Sequence, residues 1–188
     1  MTVIVGLATK NKKYLAGDRY IGEENSYFLS SRPKIAKKNA SFLIGGAGNA
    51  WNMSVCVHVA QLPEIHKSDD PFRFLGQDIF PLLMQTMQLQ SQVIDSTEDG
   101  ACVDLALLFV FRDFSNLYSM DIAKNKLQDI SEYKLVGAVG CGSVEAYAAM
   151  AALKDSKEYI PKQKLIRTME VVTELNSFVR PPFDILSI

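Results

Sequence analysis

A threonine directly after the first methionine is the first residue of this chain with an evident chemical use. Thr2 has a side chain small enough for Met1 to be removed. That would leave an N-terminal threonine whose own α-amine can take the hydroxyl proton. Many chains begin Met-Thr with no consequence. Asp18 closes the stretch Ala16-Gly17-Asp18, either as a buried ion-pair partner or as a turn residue. The cluster Gly45 to Gly48 brings backbone N–H groups close to a substrate, or makes only a tight strand-to-helix turn. Gly140-Cys141-Gly142-Ser143 poses the same choice and adds Cys141 as a candidate nucleophile. No histidine stands in a recognisable pattern with Cys141, which argues against that role.

These residues need elements to hold them. Apolar Thr2 to Ala8, a basic turn at 10–13 and Tyr14 to Asp18 predict a β-hairpin. Short strands are expected at Tyr27 to Ser30, Lys34 to Lys37 and Phe42 to Gly46. Asn49 then caps a helix carrying Trp51, Val55, Val59 and Leu62, which Pro63 ends. Asp70-Pro71 starts another stretch, and Asp78 with Pro81 suits the first turn of a helix running to about Gln92. Strands return over Val103 to Phe111, Asn116 to Ile122 and Val136 to Val139. Ser143 caps a helix through Leu153, Pro161 opens the last helix to about Asn176, and Val179 to Ile188 reads as an edge strand that admits Pro181 and Pro182. The order is strands, two helices, strands, two helices, strand. Two antiparallel sheets packed face to face, with a helix pair on each outer face, satisfy it. A doubly wound parallel sheet would need strict β-α alternation.

Composition sets the outer bounds. The 188 residues are 48% hydrophobic and 22% charged, enough for an ample core in one domain, 1–188. A chain of this size buries about 70% of its unfolded surface. Twenty basic residues against 21 acidic ones give a net charge of −1, which removes any global argument for nucleic acid. No long uncharged apolar run suggests a membrane span, and the first residues lack the basic region of a signal peptide. Cys56, Cys102 and Cys141 are odd in number and never in C-x-x-C spacing, which predicts reduced thiols and a cytoplasmic setting. His58 and His66 are too few for most histidine metal sites, and neither a metal nor a cofactor is expected. Up to Lys38 the chain carries eight Lys or Arg against three acids, an excess that fits a solvated face or a partner surface.

Thr2-Val3-Ile4-Val5-Gly6 through Ala16-Gly17-Asp18 resembles the N-terminus of proteasome β subunits and of the HslV-type peptidase. In those families a catalytic lysine follows that aspartate by sixteen residues, usually before an apolar residue; here that position holds Lys34, then Ile35. Gly48 is closest in register to the family's oxyanion glycine. Gly140-Cys141-Gly142-Ser143 with Tyr147-Ala148-Ala149 resembles the family's G-S-G-x…Y-A motif. Two departures stand out. Cys141 replaces the family's serine, with Ser143 near but out of register. The family's later aspartate falls near Glu174, with Ser177 three residues on.

The resemblance implies an N-terminal-nucleophile hydrolase with an αββα sandwich. It implies a threonine peptidase working as a homo-oligomeric ring on peptides or unfolded proteins, fed by an ATP-dependent unfoldase or cap. Thr2 would be the nucleophile, Lys34 would keep its amine neutral, Asp18 would hold Lys34, and the Gly48 N–H would stabilise the oxyanion. The rival reading is a catalytically silent proteasome-like subunit kept for assembly. A third is an amidase of the same fold acting on small amides.

Overall fold

Strands that are apolar on both faces need cover on both faces, and the fold supplies it in four layers. The computed structural model describes residues 2–23, 26–90 and 104–188. One sheet contains β1 (Val3–Ala8), β2 (Lys13–Asp18), β10 (Val136–Gly140) and β11 (Phe183–Ser187), in the order β10-β1-β2-β11. The other runs β5 (Ile35–Lys38), β6 (Phe42–Gly48), β7 (Leu105–Phe111), β8 (Leu117–Ala123), β9 (Lys126–Tyr133) in that spatial order. Every pairing in both sheets is antiparallel. A separate hairpin, β3 (Tyr20–Glu23) with β4 (Ser26–Leu29), follows directly on Asp18.

Helices α4 (Ser143–Leu153) and α5 (Pro161–Leu175) cover the first sheet, where Val3, Val5 and Ala16 meet Met150, Leu165 and Met169. The second sheet is covered by α1 (Ala50–Ser54), α2 (Pro71–Arg73) and α3 (Phe80–Gln90). A wider π-helical stretch, Val55–Val59, extends α1, and another, Phe74–Ile79, joins α2 to α3. Between the sheets, Ile4 and Leu15 pack on Leu43, Leu108 and Val110.

Strand β7 explains the apolar run in the sequence. Leu107, Phe109 and Phe111 pack under the helices, while Leu108 and Val110 face the other sheet. The period-two alternation is present but hidden, because both sides are buried. Each such side chain contributes about 1.5–3 kcal/mol of burial. The architecture is the αββα sandwich that the element order predicts.

The differences from the sequence reading have local causes. Pro71 to Gln90 is one continuous helical run, because the Asp70 side chain accepts from the Phe72 N–H (3.0 Å) and starts it earlier than Asp78. Trp51 is 57% exposed and is no core residue, and Leu62 lies beyond the helix. Gly142, not Ser143, occupies the cap position of α4, with no side-chain cap bond. The strand β9 went unread because its residues are mostly polar and half-buried or exposed. The expected helix end at Gln92, the strand start at Val103 and Cys102 lie outside the described residues.

Candidate active site

Three strand ends converge on one corner. Thr2 immediately precedes β1, Asp18 is the last residue of β2, and Lys34 immediately precedes β5. All three are buried, Lys34 at 1% and Asp18 at 0% exposure. The Lys34 ammonium donates to Thr2 Oγ1 at 2.5 Å, to Asp18 Oδ2 at 2.8 Å, and to the Tyr20 carbonyl. Asp18 is held in turn by backbone N–H groups, Val3 to Oδ1 at 2.9 Å and Tyr20 to Oδ2 at 3.0 Å. Because Val3 is the next residue after Thr2, the carboxylate fixes the start of β1 and the lysine together.

Burial dominates the electrostatics of this pair. It pushes the Asp18 carboxyl above its ordinary value, against the pull of the Lys34 charge and the three hydrogen bonds to it. It pushes the Lys34 ammonium below its ordinary value, against the attraction of Asp18. A buried ion pair of this kind survives because the three N–H groups of the ammonium have three acceptors.

The turn after β10 closes the other side. The Cys141 N–H donates to the Thr2 carbonyl at 2.9 Å, and Cys141 Sγ lies 3.4 Å from the same oxygen. Gly140 has φ +100°, and a Cβ there would sit 2.1 Å from the Thr2 carbonyl oxygen, so only glycine allows this approach. Gly48 ends β6 with φ +129°. Its neighbours fix where its N–H points. The Gly46 N–H donates to the Lys34 carbonyl, and the Asn49 N–H donates towards β7, to the Asp104 carbonyl. Alternation along the strand then directs the Gly48 N–H to the Lys34 side, beyond the end of β5. Thr2, Gly48 and Cys141 line one cleft of about 540 Å³, together with Ala47, Asp104 and Asp121.

Glu174 does not join the group. It is exposed on α5, where its charge is felt by Arg167. The residue at the end of α5 that reaches the site is Asn176, whose Nδ2 donates to the Cys141 carbonyl at 3.2 Å. Ser143 is half-buried in the first turn of α4 and Ser177 is exposed. Asn176, the Tyr20 backbone and Asp121 were not singled out from the sequence. The first two act through geometry that no residue pattern encodes.

The remaining candidates have ordinary surroundings. His58 Nε2 lies 2.6 Å from the Pro33 carbonyl, and His66 is exposed. Cys56 is buried beside Met87, and burial pushes its thiol up to about 12. Among the described residues no group of three or more His, Cys, Asp or Glu is arranged to hold a metal ion.

No sequence-family model and no curated protein matches the chain. Solved structures do. The BPH of Thiobacillus denitrificans, in a complex with epoxomicin, superposes with a TM-score of 0.77 at 14% identity, over 100% of this chain and 98% of that one. HslV of Trypanosoma brucei gives 0.62 at 19% identity over 99% and 98%. Anbu, an ancestral β-subunit, of Yersinia bercovieri gives 0.66 at 12% identity over 100% and 81%. The fold is that of the proteasome-type subunits. The resemblance carried by the sequence motifs is thus matched over the whole chain by the architecture.

Proposed function

We propose that the chain is a threonine peptidase in which Thr2 becomes the N-terminal nucleophile once Met1 is removed. The observation that carries this reading is the Lys34 ammonium, held by Asp18 and hydrogen-bonded to Thr2 Oγ1 at 2.5 Å. A free α-amine titrates at about 7.7–8.0, and a cation beside it shifts that value down, leaving more of it neutral. The neutral amine takes the Thr2 hydroxyl proton and Lys34 stabilises the developing alkoxide. Thr2 Oγ1 attacks the peptide carbonyl, the Gly48 N–H receives the oxyanion, and the amine returns its proton to the leaving nitrogen. Water then hydrolyses the acyl ester. Turnover of a fluorogenic peptide by the processed chain, lost in Thr2→Ala, tests the assignment.

The substrates in this reading are peptides or unfolded proteins, and the chain works as a homo-oligomeric ring served by an ATP-dependent unfoldase or cap. The setting is cytoplasmic, consistent with reduced thiols. No helix among the described residues is long and apolar enough to cross a membrane. Exposed Trp51 on α1 and Leu89 on α3 suit a subunit contact. Sedimentation at micromolar concentration is expected to find an assembly, and a stable monomer of 20.9 kDa would count against the ring.

Cys141 in this reading shapes the site without reacting. Cys141→Ser keeps or raises turnover, since a hydroxyl is a better hydrogen-bond partner than a thiol. Loss of turnover on thiol alkylation, with Thr2→Ala unaffected, would instead make Cys141 the nucleophile. The exposure of Glu174 favours a second reading, a silent assembly subunit, in which native protein keeps Met1 and has no turnover.

A further inference from the structure

The basic residues near the N-terminus acquire a use at the end of the sandwich opposite Thr2. Six residues of β1 separate the two ends, about 20 Å at the usual strand rise. Three turns meet there, β1–β2, β7–β8 and β9–β10; the Ala8 N–H donating to the Leu135 carbonyl at 2.8 Å ties the first to the third. They enclose a cavity of about 800 Å³ lined by Lys10, Lys13, Arg112 and Lys134, with Asp113 as the one acid and Phe114 on the wall. Only two of these four cations come from the basic N-terminal segment. Folding brings the other two, distant in sequence, to the same cavity.

Lys13 is anchored there. Its ammonium donates to the Arg112 carbonyl at 2.5 Å, which leaves further N–H groups for a ligand. Burial lowers its pKa, against the attraction of Asp113. Glu132 stands near Lys134 as a second carboxylate beside the cavity, its Oε1 accepting from Asn116 Nδ2 at 2.7 Å and from the Tyr118 hydroxyl at 2.8 Å, which holds it ionised. Four cations against two carboxylates, Asp113 in the lining and Glu132 beside it, in a chain of net charge −1, leave a local positive field with no counterpart in the overall composition. The volume lies within the usual range for small-molecule sites.

We propose that this cavity binds a small ligand presenting clustered oxyanions, phosphate or carboxylate. The inference is independent of any chemistry at Thr2. Lysine and arginine suit either group, since both present oxygens that accept charge-assisted hydrogen bonds. The test is isothermal titration calorimetry of the full chain at low salt, with tripolyphosphate and citrate as separate probes. At least one probe is expected to saturate at one site per chain. Lys10→Gln/Lys134→Gln, two exposed positions, should weaken it about tenfold or more. Lys157→Gln/Lys162→Gln removes the same charge from exposed positions that do not line the cavity, and should leave affinity unchanged. Tighter binding of tripolyphosphate identifies a phosphate ligand, and tighter binding of citrate a carboxylate one. Absence of saturable heat with both probes, or equal weakening in both variants, overturns the proposal.

Discussion

Lys34→Ala lowers peptide kcat/KM by about 10²–10⁴-fold, and Lys34→Arg does not restore it. The ammonium has three acceptors in a fixed arrangement, Thr2 Oγ1, Asp18 Oδ2 and the Tyr20 carbonyl. A planar guanidinium cannot serve all three from the same point. The alanine variant leaves Asp18 buried without its cation, which costs about 3–5 kcal/mol when the carboxylate is charged. Asp18 escapes part of that cost by taking a proton. Its carboxyl is already above the ordinary 3.8, and losing Lys34 removes two of the influences that hold it down. A folded-state value raised above the unfolded one gives stability that is complete below the unfolded value and drains as pH rises towards the folded one. Lys34→Ala therefore melts closer to wild type at pH 5 than at pH 8. Near-UV circular dichroism at both values separates this loss of stability from the loss of chemistry. Unchanged turnover in a folded Lys34→Ala would remove Lys34 from the mechanism.

Gly48→Ala has the second largest effect, a fall in kcat of about 10²–10³-fold. The φ of +129° strains any side chain, and a Cβ would lie 2.4 Å from the Asp104 carbonyl oxygen and 3.1 Å from Leu105 Cα. Both are backbone atoms of the neighbouring strand region, so neither yields cheaply. The backbone of Gly48 must turn, and its N–H leaves the place proposed for the oxyanion. Gly76→Ala is the matched control. A Cβ there meets nothing closer than Ile130 Cδ1 at 3.6 Å, within a helical stretch. It should leave kcat unchanged and stabilise the chain by about 0.5–1 kcal/mol. Steady-state kinetics and melting curves on the two variants check both halves. Full kcat in Gly48→Ala would end its assignment as the oxyanion donor.

The layer order was legible because β7 is apolar on both faces and the helices fall in two pairs along the chain. Strand β9 was not, since a polar strand at a sheet edge has no apolar signature to read. Thr2 and Asp18 could be picked from the residues alone. Lys34 could not, because a lysine between Pro33 and Ile35 looks like any strand-start cation. Only the sixteen-residue spacing in the family resemblance pointed to it, and its burial and contacts appear only in three dimensions. Glu174 illustrates the opposite case. Register along α5 suggested it, but the helix turns it to solvent. Asn176, at the end of α5 with φ −129°, reaches back to the Cys141 carbonyl instead. Sequence distance fixed the helix end and left its last side chains undetermined.

In the proposed mechanism Thr2 carries the nucleophilic hydroxyl beside its own free amine. An amide nitrogen has no available lone pair, so one retained methionine disables the site however well Asp18, Lys34 and Gly48 are placed. Intact-mass spectrometry of natively produced protein, before and after treatment with a peptide epoxyketone, measures both requirements together. The expected result is a chain that begins at Thr2 and gains one inhibitor, mapped to that residue. Quantitative retention of Met1 with no uptake of the inhibitor would contradict it and leave the assembly-subunit reading in its place.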